Sequence, residues 1–449
     1  MSFCLQRACR AACSLQRFGM ARLYCSLALT CLMKDSTKSF FRMLGPGILF
    51  ASTCIGVSHL VQSTRAGASY GFALVIFVLL ANLFKYPFFE FGSRYAAATG
   101  KSILSGYLRM GRWSLILYAV LSLVSMFTVT AAVTFVTAGL LSTLTGSTLD
   151  TAQLSAILLG LCMLVLAVGK YNLLENLLKV IGAVLLISTL VAFFAAIFNG
   201  PAPRVEGFTA PDLTAPASFA FIIALMGWMP TAVDLSAWNS IWAVEKYRSS
   251  GLKPDLKSTL ADFNFGYIVT AVLAICFLTL GSLVLYGTGT ELANSSGGFA
   301  SQIISLFTES IGPWCYWVIA LAAFSTMFST TITVLDGYSR AMNQTLSLLR
   351  KGTEENSSRM SYLGIMAVTA VVSWLVISQF LNNLTSLVDL ATILSFVIAP
   401  LIAWLNYRVI HRDEVGEAFR PKPWLRGLAL AGLIFLTLFT VIYIGYRLF

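Results

Sequence analysis

The sequence predicts an all-α polytopic membrane protein of about eleven spans, with the first and sixth spans interrupted near the middle of the bilayer. Its 449 residues are 57% hydrophobic and only 11% charged, whereas a soluble domain has about 45–50% and 25%. Apolar segments of about 20 residues, the length that crosses a hydrocarbon core of about 30 Å, recur from about residue 45 onward. These segments are too long and too continuously apolar for barrel strands, so we expect helices.

A basic tail is expected for residues 1–41. It contains six Lys or Arg residues and no acidic residue before Asp35. We interpret it as a solvated tail or the product of an upstream start codon; a targeting segment is the alternative. Its five cysteines have no paired spacing that suits a disulfide framework or zinc. The other four, Cys54, Cys162, Cys276 and Cys315, fall within spans and are expected to be buried as small apolar residues.

The eleven spans divide into two halves of five and a final helix. The first half is predicted for 42–200, the second for 201–410, and a connection with the last span for 411–449. The spans are expected at about 45–69, 71–97, 114–143, 151–169, 174–198, 216–243, 262–287, 314–345, 361–381, 384–408 and 425–447. Connections this short leave no room for a soluble domain.

The distribution of Lys and Arg predicts the orientation in the membrane. Connections after even-numbered spans are basic, whereas those near residues 145, 205, 295 and 382 carry almost no basic residue beyond Arg204. Short basic connections stay in the cytoplasm, so the N-terminus should be cytoplasmic and the C-terminus extracytoplasmic. The basic residues are scattered in short tracts between the spans, so the net charge of +11 does not indicate a nucleic-acid partner.

Span 1 carries a polar string at its centre. Gly56, Val57, Ser58 and His59 are followed by further polar residues up to Arg65. Glycine weakens a helix, and polar side chains at this depth are unfavourable unless they face protein or a water-filled cavity. We therefore expect an interruption that faces the interior.

Span 6 has the corresponding features. Gly227 and Pro230 fall in mid-span and Asp234 follows one turn later. Proline removes a backbone donor, so the carbonyl groups of Met226 and Gly227 would be free to coordinate a cation. The alternative is a simple proline kink with Asp234 paired to a basic neighbour. Because spans 1 and 6 are five helices apart, they run in opposite directions, as in an inverted repeat whose broken helices form the binding site.

Several motifs resemble the Nramp family of divalent-metal transporters. They are GPGILFASTCIGVSH, RAGASYG, TGKS at Thr99–Ser102, YNLLENLLK at Tyr171–Lys179 and GWMP at Gly227–Pro230. The resemblance covers about residues 42–410 and indicates a divergent branch. It implies the leucine-transporter fold, with spans 1–5 and 6–10 as inverted repeats, and import of manganous or ferrous ions with protons.

This sequence departs from the family at the binding positions. The family's Asp-Pro-Gly-Asn signature aligns with residues 56–59, so its metal-binding carboxylate is absent, while the methionine-proline pair is kept as Met229 and Pro230. Thr231 replaces the usual histidine, Met226 aligns with the alanine that contributes a carbonyl, and Thr392 aligns with the span 10 glutamine. Span 3 contains no carboxylate, so proton coupling would need a route other than the family's.

Three side chains carry the remaining metal chemistry. The imidazole of His59 and the thioether of Met229 suit transition metals, and Asp234 is the nearby carboxylate. Each also has a structural alternative: a satisfied histidine, a packing methionine and a paired aspartate. The predicted substrate-binding residues are Gly56, Ser58, His59, Met226, Gly227, Met229, Thr231, Asp234 and Thr392.

Charged residues inside the spans are candidates for coupling or gating. Glu90 with Arg94, Glu175 with Lys179 and Asp336 with Arg340 have the four-residue spacing that places opposite charges on one helical face. Lys85 lies in span 2, and Asp389 is closer to the outer face, where it would line an entry vestibule. The predicted coupling and gating residues are Arg65, Glu90, Arg94, Asp336, Arg340 and Asp389.

Three functional hypotheses follow. The sequence contains no nucleotide-binding loop, hydrolase elbow or zinc-protease signature, so we expect no enzyme and no cofactor. The favoured hypothesis is a secondary transporter that imports a divalent metal as its substrate, with protons as a possible coupling ion, in a bacterial inner membrane. The alternatives are transport of a small organic solute such as an amino acid, for which Arg65 would matter more, and a non-transporting receptor or scaffold. No obligate protein partner is expected.

Overall fold

The computed structural model describes residues 45–168, 171–251, 255–354, 358–380 and 383–448. Within these residues the chain forms fifteen α-helices joined by turns, and no strand occurs among them. The predicted basic tail at residues 1–41 lies outside the described residues. The division of the chain into two halves and a final connection remains a prediction.

The first half contains seven helices. They are α1 Pro46–Cys54, α2 Thr64–Tyr70, α3 Val75–Thr99, α4 Ile103–Met110, α5 Arg112–Thr145, α6 Thr151–Val168 and α7 Tyr171–Asn199. Helices α1 and α2 together form span 1, and α3, α5, α6 and α7 match spans 2 to 5. Hydropathy did not predict α4, because its eight residues are too short to cross a bilayer.

The second half and the final span contain eight helices. They are α8 Pro216–Gly227, α9 Ser236–Ser250, α10 Leu256–Val284, α11 Ser296–Ile311, α12 Tyr316–Lys351, α13 Arg359–Gln379, α14 Leu384–Ile410 and α15 Pro423–Leu448. Helices α8 and α9 together form span 6. Helix α11, between spans 7 and 8, was not predicted.

Eight helical segments of the described chain are long and apolar enough to cross a membrane. The remaining three predicted spans are α7 and the two interrupted ones, whose pieces are shorter. Large apolar side chains point outward, such as Phe198 on α7 and Ile434 on α15. The protein is therefore an integral, multi-pass membrane protein.

Glycines bring the interrupted spans close to their neighbours. A Cβ at Gly47 would lie 2.0 Å from the carbonyl oxygen of Asp262, and one at Gly67 would lie 2.0 Å from that of Leu278. Both contacts join span 1 to α10, and the Gly47 N–H donates a 2.6 Å hydrogen bond to Asp262 Oδ2. Small residues that let backbones touch are the usual basis of helix association in membranes.

Both predicted interruptions are present. Helix α1 ends at Cys54, the chain bends at Ile55 and Gly56, and a wide π-helical turn over Ser58–Ser63 leads into α2. In span 6, α8 ends at Gly227, residues 228–232 are not helical, and a short turn over Val233–Leu235 precedes α9. Residues 56–64 and 226–240 are almost entirely buried, so both interruptions face the protein interior.

Candidate functional site

A small cavity lies between the two interruptions. Its volume is about 20 Å³, which is enough for about one water molecule or ion. Four hydroxyl side chains and several apolar ones surround it. The lining residues are Thr53, Val57, Ser58, Val129, Val133, Trp228, Thr231, Ala232, Leu235, Thr330 and Val334. Among these described residues there is no carboxylate and no imidazole.

The span 1 interruption contributes Ser58 directly to this cavity. Ser58 Oγ lies 2.6 Å from the carbonyl oxygen of Cys54 at the end of α1 and 2.8 Å from His59 Nδ1, and its single proton serves one of these two acceptors at a time. Gly56 forms the bend beside α12, because a Cβ there would lie 2.9 Å from the Thr330 side chain. The two interruptions also touch, since Ser63 Oγ lies 3.9 Å from Met229 Sδ. Met229 is fully buried.

The carbonyl groups freed in span 6 converge on a buried ammonium group. Lys85 of α3 is fully buried, and its Nζ donates to the carbonyls of Met226 at 2.6 Å, Gly227 at 2.8 Å and Thr231 at 3.3 Å. The sequence predicted that these carbonyls of Met226 and Gly227 would coordinate a cation. In the structure the cation that they hold is a side chain of the protein itself.

His59 lies beside the cavity but is fully hydrogen-bonded. Its Nδ1 shares a 2.8 Å hydrogen bond with Ser58 Oγ, and its Nε2 lies 2.9 Å from the carbonyl of Thr270 on α10. A carbonyl only accepts, so Nε2 carries a proton and donates it. A metal would have to break one of these buried bonds, and the role of His59 as a metal ligand stays a prediction.

Asp234 is buried where span 6 resumes its helical course. Its Oδ2 accepts from Ser125 Oγ at 2.8 Å and from the Tyr338 hydroxyl at 3.1 Å, while its Oδ1 has no side-chain partner among the described residues. It makes no ion pair with a basic side chain in the described residues. It lies three residues after Thr231, whose carbonyl binds Lys85, and does not line the cavity.

Thr392 on α14 joins both interrupted spans. Its hydroxyl accepts a 3.3 Å hydrogen bond from Gln62 Nε2 of span 1. Its carbonyl oxygen lies 2.0 Å from where a Cβ at Gly227 would be, so only glycine fits between α8 and α14 at this position.

Within the described residues no group of three or more His, Cys, Asp or Glu side chains is placed to hold a metal ion.

An ion pair joins span 1 to α14. Arg65 of α2 donates to both carboxylate oxygens of Asp389 on α14, at 2.7 and 3.1 Å. Gln62 adds bonds to both partners, and the Arg65 guanidinium lies 4.9 Å from the centre of the Phe221 ring on α8. We call this set the outer barrier, after the role and the side of the membrane proposed below: Gln62, Arg65, Phe221 and Asp389.

A contact between two aromatic rings joins α9 to α12. Trp238 of α9 and Tyr338 of α12 are fully buried and meet edge to face, with ring centres 4.7 Å apart. Along each helix they lie between the small cavity and a larger one of about 440 Å³. The larger cavity is lined by charged residues that include Glu245, Arg248 and Arg340. We call Trp238 and Tyr338 the inner barrier.

The predicted pairs on helical faces are confirmed where their side chains are described. Arg94 binds Glu90 at 2.5 Å and also donates to the carbonyl of Phe419, and Arg340 binds Asp336 at 2.7 Å. The side chains of the third pair, Glu175 and Lys179, lie outside the described residues. The burial predicted for Cys54, Cys162, Cys276 and Cys315 is confirmed, and all four are free thiols.

The family model for natural resistance-associated macrophage protein-like proteins, Nramp, matches residues 47–445. The chain belongs to the Nramp family. The match confirms the resemblance of the motifs and extends it through the last helix.

Two relatives and two solved structures are similar to this Nramp protein over most of its length. An uncharacterised protein of Pasteurella multocida is 40% identical over 419 residues, which are 92% of this chain and 94% of that protein. The divalent metal cation transporter MntH of Listeria welshimeri is 21% identical over 434 residues, 92% of this chain and 91% of the relative.

The solved manganese transporter of Eremococcus coleocola has a TM-score of 0.63 at 14% identity, covering 90% of this chain and 86% of that one. MhsT in complex with L-phenylalanine has a TM-score of 0.60 at 12% identity, covering 90% and 98%. At these identities the likeness concerns the fold. It confirms the leucine-transporter-type arrangement of discontinuous helices.

Sequence reasoning missed Lys85 as part of this Nramp site. One signal was available: Glu90–Arg94 and Asp336–Arg340 have partners four residues away, but no acidic residue lies three or four positions from Lys85. A charge inside a span without such a partner must find one on another helix. The sequence offered no corresponding signal for the pairing of Arg65 with Asp389.

Proposed function

We propose that this Nramp protein is a secondary transporter that imports a divalent metal cation of the manganese or iron type by alternating access. The observation that carries the proposal is the convergence of three main-chain carbonyls, from Met226, Gly227 and Thr231, on one cationic group at the interruption of span 6. Family membership and the relatives described as divalent metal and manganese transporters support a metal substrate.

The metal site we propose uses main-chain and soft side-chain ligands. The carbonyls of span 6 and the Met229 thioether would bind the ion, with the hydroxyls of Ser58 and Thr231 at the cavity. Thioether favours transition metals over magnesium or calcium. Asp234 supplies the negative charge from behind the site, whereas both nitrogens of His59 are already bonded. Helix α5 contains no carboxylate, so any proton coupling uses a route other than acidic residues there.

Alternating access requires a barrier on each side of the site. The outer barrier joins α2 to α14, and the inner barrier joins α9 to α12. With both barriers closed, a substrate in the small cavity would be separated from each side of the membrane by one barrier. The ion pairs Glu90–Arg94 and Asp336–Arg340 would hold the inner ends of α3 and α12 during the transition.

We place the protein in a bacterial inner membrane with a cytoplasmic N-terminus and an extracytoplasmic C-terminus. The basic connections after even-numbered spans support this orientation, because short Lys- and Arg-rich loops stay in the cytoplasm. The outer barrier then faces outside and the larger cavity faces the cytoplasm. The partners that we propose are the metal ion and the lipid bilayer.

Uptake by the purified protein in proteoliposomes tests the function. We expect radioactive Mn²⁺ to accumulate in a saturable way, and unlabelled Fe²⁺ to compete with it. Empty liposomes are the control. Absence of uptake for Mn²⁺ and Fe²⁺, together with thermal stabilisation of the protein by an amino acid, would replace the metal with an organic solute, because only a bound substrate stabilises the native state.

A further inference from the structure

Lys85 is the one described lysine that is fully buried, and it lies at the functional centre of the protein. An ammonium group has three N–H donors and no acceptor. The three carbonyls of Met226, Gly227 and Thr231 satisfy all three donors at 2.6, 2.8 and 3.3 Å. The span 6 interruption therefore forms a cage of neutral oxygens around one positive charge.

These carbonyls are available because the helix is interrupted there. Helix α8 ends at Gly227, and Pro230 has no N–H to donate. The Met226 carbonyl lacks the regular helical donor four residues on, which would be Pro230, and meets instead the N–H groups of Trp228 and, at 3.3 Å, of Met229. Without a cation, these buried oxygens would be left with incomplete hydrogen bonding.

The charges around the cage match a single positive group. Asp234 is buried three residues after Thr231, whose carbonyl accepts from Lys85. Its Oδ2 accepts hydrogen bonds from Ser125 and Tyr338, and its Oδ1 has no side-chain partner in the described part of the chain. Lys85 and Asp234 together give a neutral interior, which a low-dielectric site favours.

We propose that Lys85 is a tethered cation that fills the substrate cage of the empty carrier, so that Lys85 ammonium and a divalent ion exclude each other from the span 6 carbonyls. This inference rests on the proposed function, since it takes the cage to be where the transported metal binds. An ammonium group and a dication repel each other at contact distance. The metal therefore enters only when Lys85 leaves, and Lys85 returns to satisfy the carbonyls when the metal is released.

The tethered cation gives the empty carrier a stable state. With Lys85 in the cage, the buried carbonyls have partners and the site can close without its substrate. This is the step that a carrier needs to return for another ion. Lys85 acts here as a specificity and positioning residue, because it sets how strongly a metal must bind in order to displace it.

Metal titration of two variants tests this proposal. Lys85→Met removes both the charge and the N–H donors. Lys85→Gln removes the charge but keeps two N–H donors for the carbonyls, so it supplies a folded variant if Lys85→Met does not fold. Lys101→Gln, at an exposed lysine, is the matched control. Binding of MnCl₂ to the purified full-length protein is measured by calorimetry in detergent, after size-exclusion chromatography has shown each variant to be monodisperse.

We expect Lys85→Gln to lower the dissociation constant for Mn²⁺ by about tenfold or more, a difference of about 1.4 kcal/mol, and Lys101→Gln to leave it unchanged. If Lys85→Gln binds Mn²⁺ and the wild type does not, the result also supports the exclusion of the metal by Lys85. The same result argues against metal transport as the function of the wild type. A purely structural lysine predicts the opposite result, a lower melting temperature with equal or weaker metal binding.

Two results would overturn the inference. Equal affinity in the wild type and Lys85→Gln overturns the tethered cation and leaves the proposed metal transport standing. Absence of Mn²⁺ binding to every variant overturns both, because the cage then holds no divalent ion even when Lys85 is gone. The affinity of the wild type thus separates failure of the inference from failure of the proposed function.

Discussion

One main-chain contact determines how closely helices α8 and α14 approach each other. At Gly227 the helix α8 meets α14 through main-chain atoms alone, with the Thr392 carbonyl oxygen where a side chain would begin. This contact places the last carbonyls of α8 beside Lys85. A methyl group at this position would push apart the elements that hold the cage.

Gly227→Ala is therefore expected to destabilise the protein. Its Cβ would lie 2.0 Å from the main-chain oxygen of Thr392, which cannot rotate away. Overpacking of this kind costs about 1–3 kcal/mol. We expect a lower melting temperature in detergent and loss of Mn²⁺ uptake.

Gly364→Ala is the matched control for that prediction. Gly364 lies on an exposed face of α13, with nothing within 4 Å of the added Cβ. Helix propensity predicts a neutral effect or stabilisation by up to about 1 kcal/mol. Equal melting temperatures for Gly227→Ala and the wild type would contradict the close contact between α8 and α14.

At the scale of helices, the outer barrier joins elements from the two halves of the chain, and the inner barrier joins two helices of the second half. The outer barrier connects α2 to α14 by a bidentate ion pair, and such charge-assisted bonds are stronger than neutral ones. The inner barrier connects α9 to α12 through Trp238, whose ring packs 2.4 Å from the position of a Cβ on Gly337. Opening one side means separating one pair of helices.

Asp389→Asn should favour an open outer side. Loss of the charge weakens the bonds from Arg65 while it keeps the shape of the side chain. A change of about 1.4 kcal/mol in the closing equilibrium corresponds to about tenfold. In a protein whose natural cysteines are replaced, we expect the variant to raise the labelling rate of Ser63→Cys by a membrane-impermeant thiol reagent about tenfold.

Asp413→Asn serves as the comparison for this labelling experiment. Asp413 pairs with Arg420 at the exposed surface, at 3.1 Å. An exposed pair contributes about 0–1 kcal/mol, and it lies outside the outer barrier. Unchanged labelling of residue 63 in Asp389→Asn would show that the Arg65–Asp389 pair does not control access.

For the whole molecule, the arrangement of charge should determine its orientation in the membrane. The connection between α5 and α6 has no lysine or arginine, whereas that between α14 and α15 contains Arg412, Arg420 and Lys422. Basic connections stay in the cytoplasm. We expect an impermeant thiol reagent applied to intact cells to label Thr148→Cys and to leave Glu417→Cys unlabelled until the cells are opened. The reverse pattern would invert the proposed orientation.

The sequence by itself determined the spans, their interruptions and the family. Hydrocarbon requires each span to satisfy its own backbone, so length and composition mark the helices. Gly56 and Pro230 mark their interruptions because each weakens a span whose centre also carries polar residues, whereas Pro87 and Pro400 lie within continuous helices. Glu90–Arg94 and Asp336–Arg340 were predictable for the same local reason, since partners four residues apart must share a face.

Only the tertiary structure decided which groups meet at the site. Lys85 lies 141 residues before Met226, and Arg65 lies 324 residues before Asp389. No local rule of spacing relates such positions. The bonds of His59 to Thr270 and of Asp234 to Ser125 and Tyr338 also depend on how separate helices pack. Helix formation follows from neighbours along the chain, but the partner of a buried charge is set by the packing of the whole bundle.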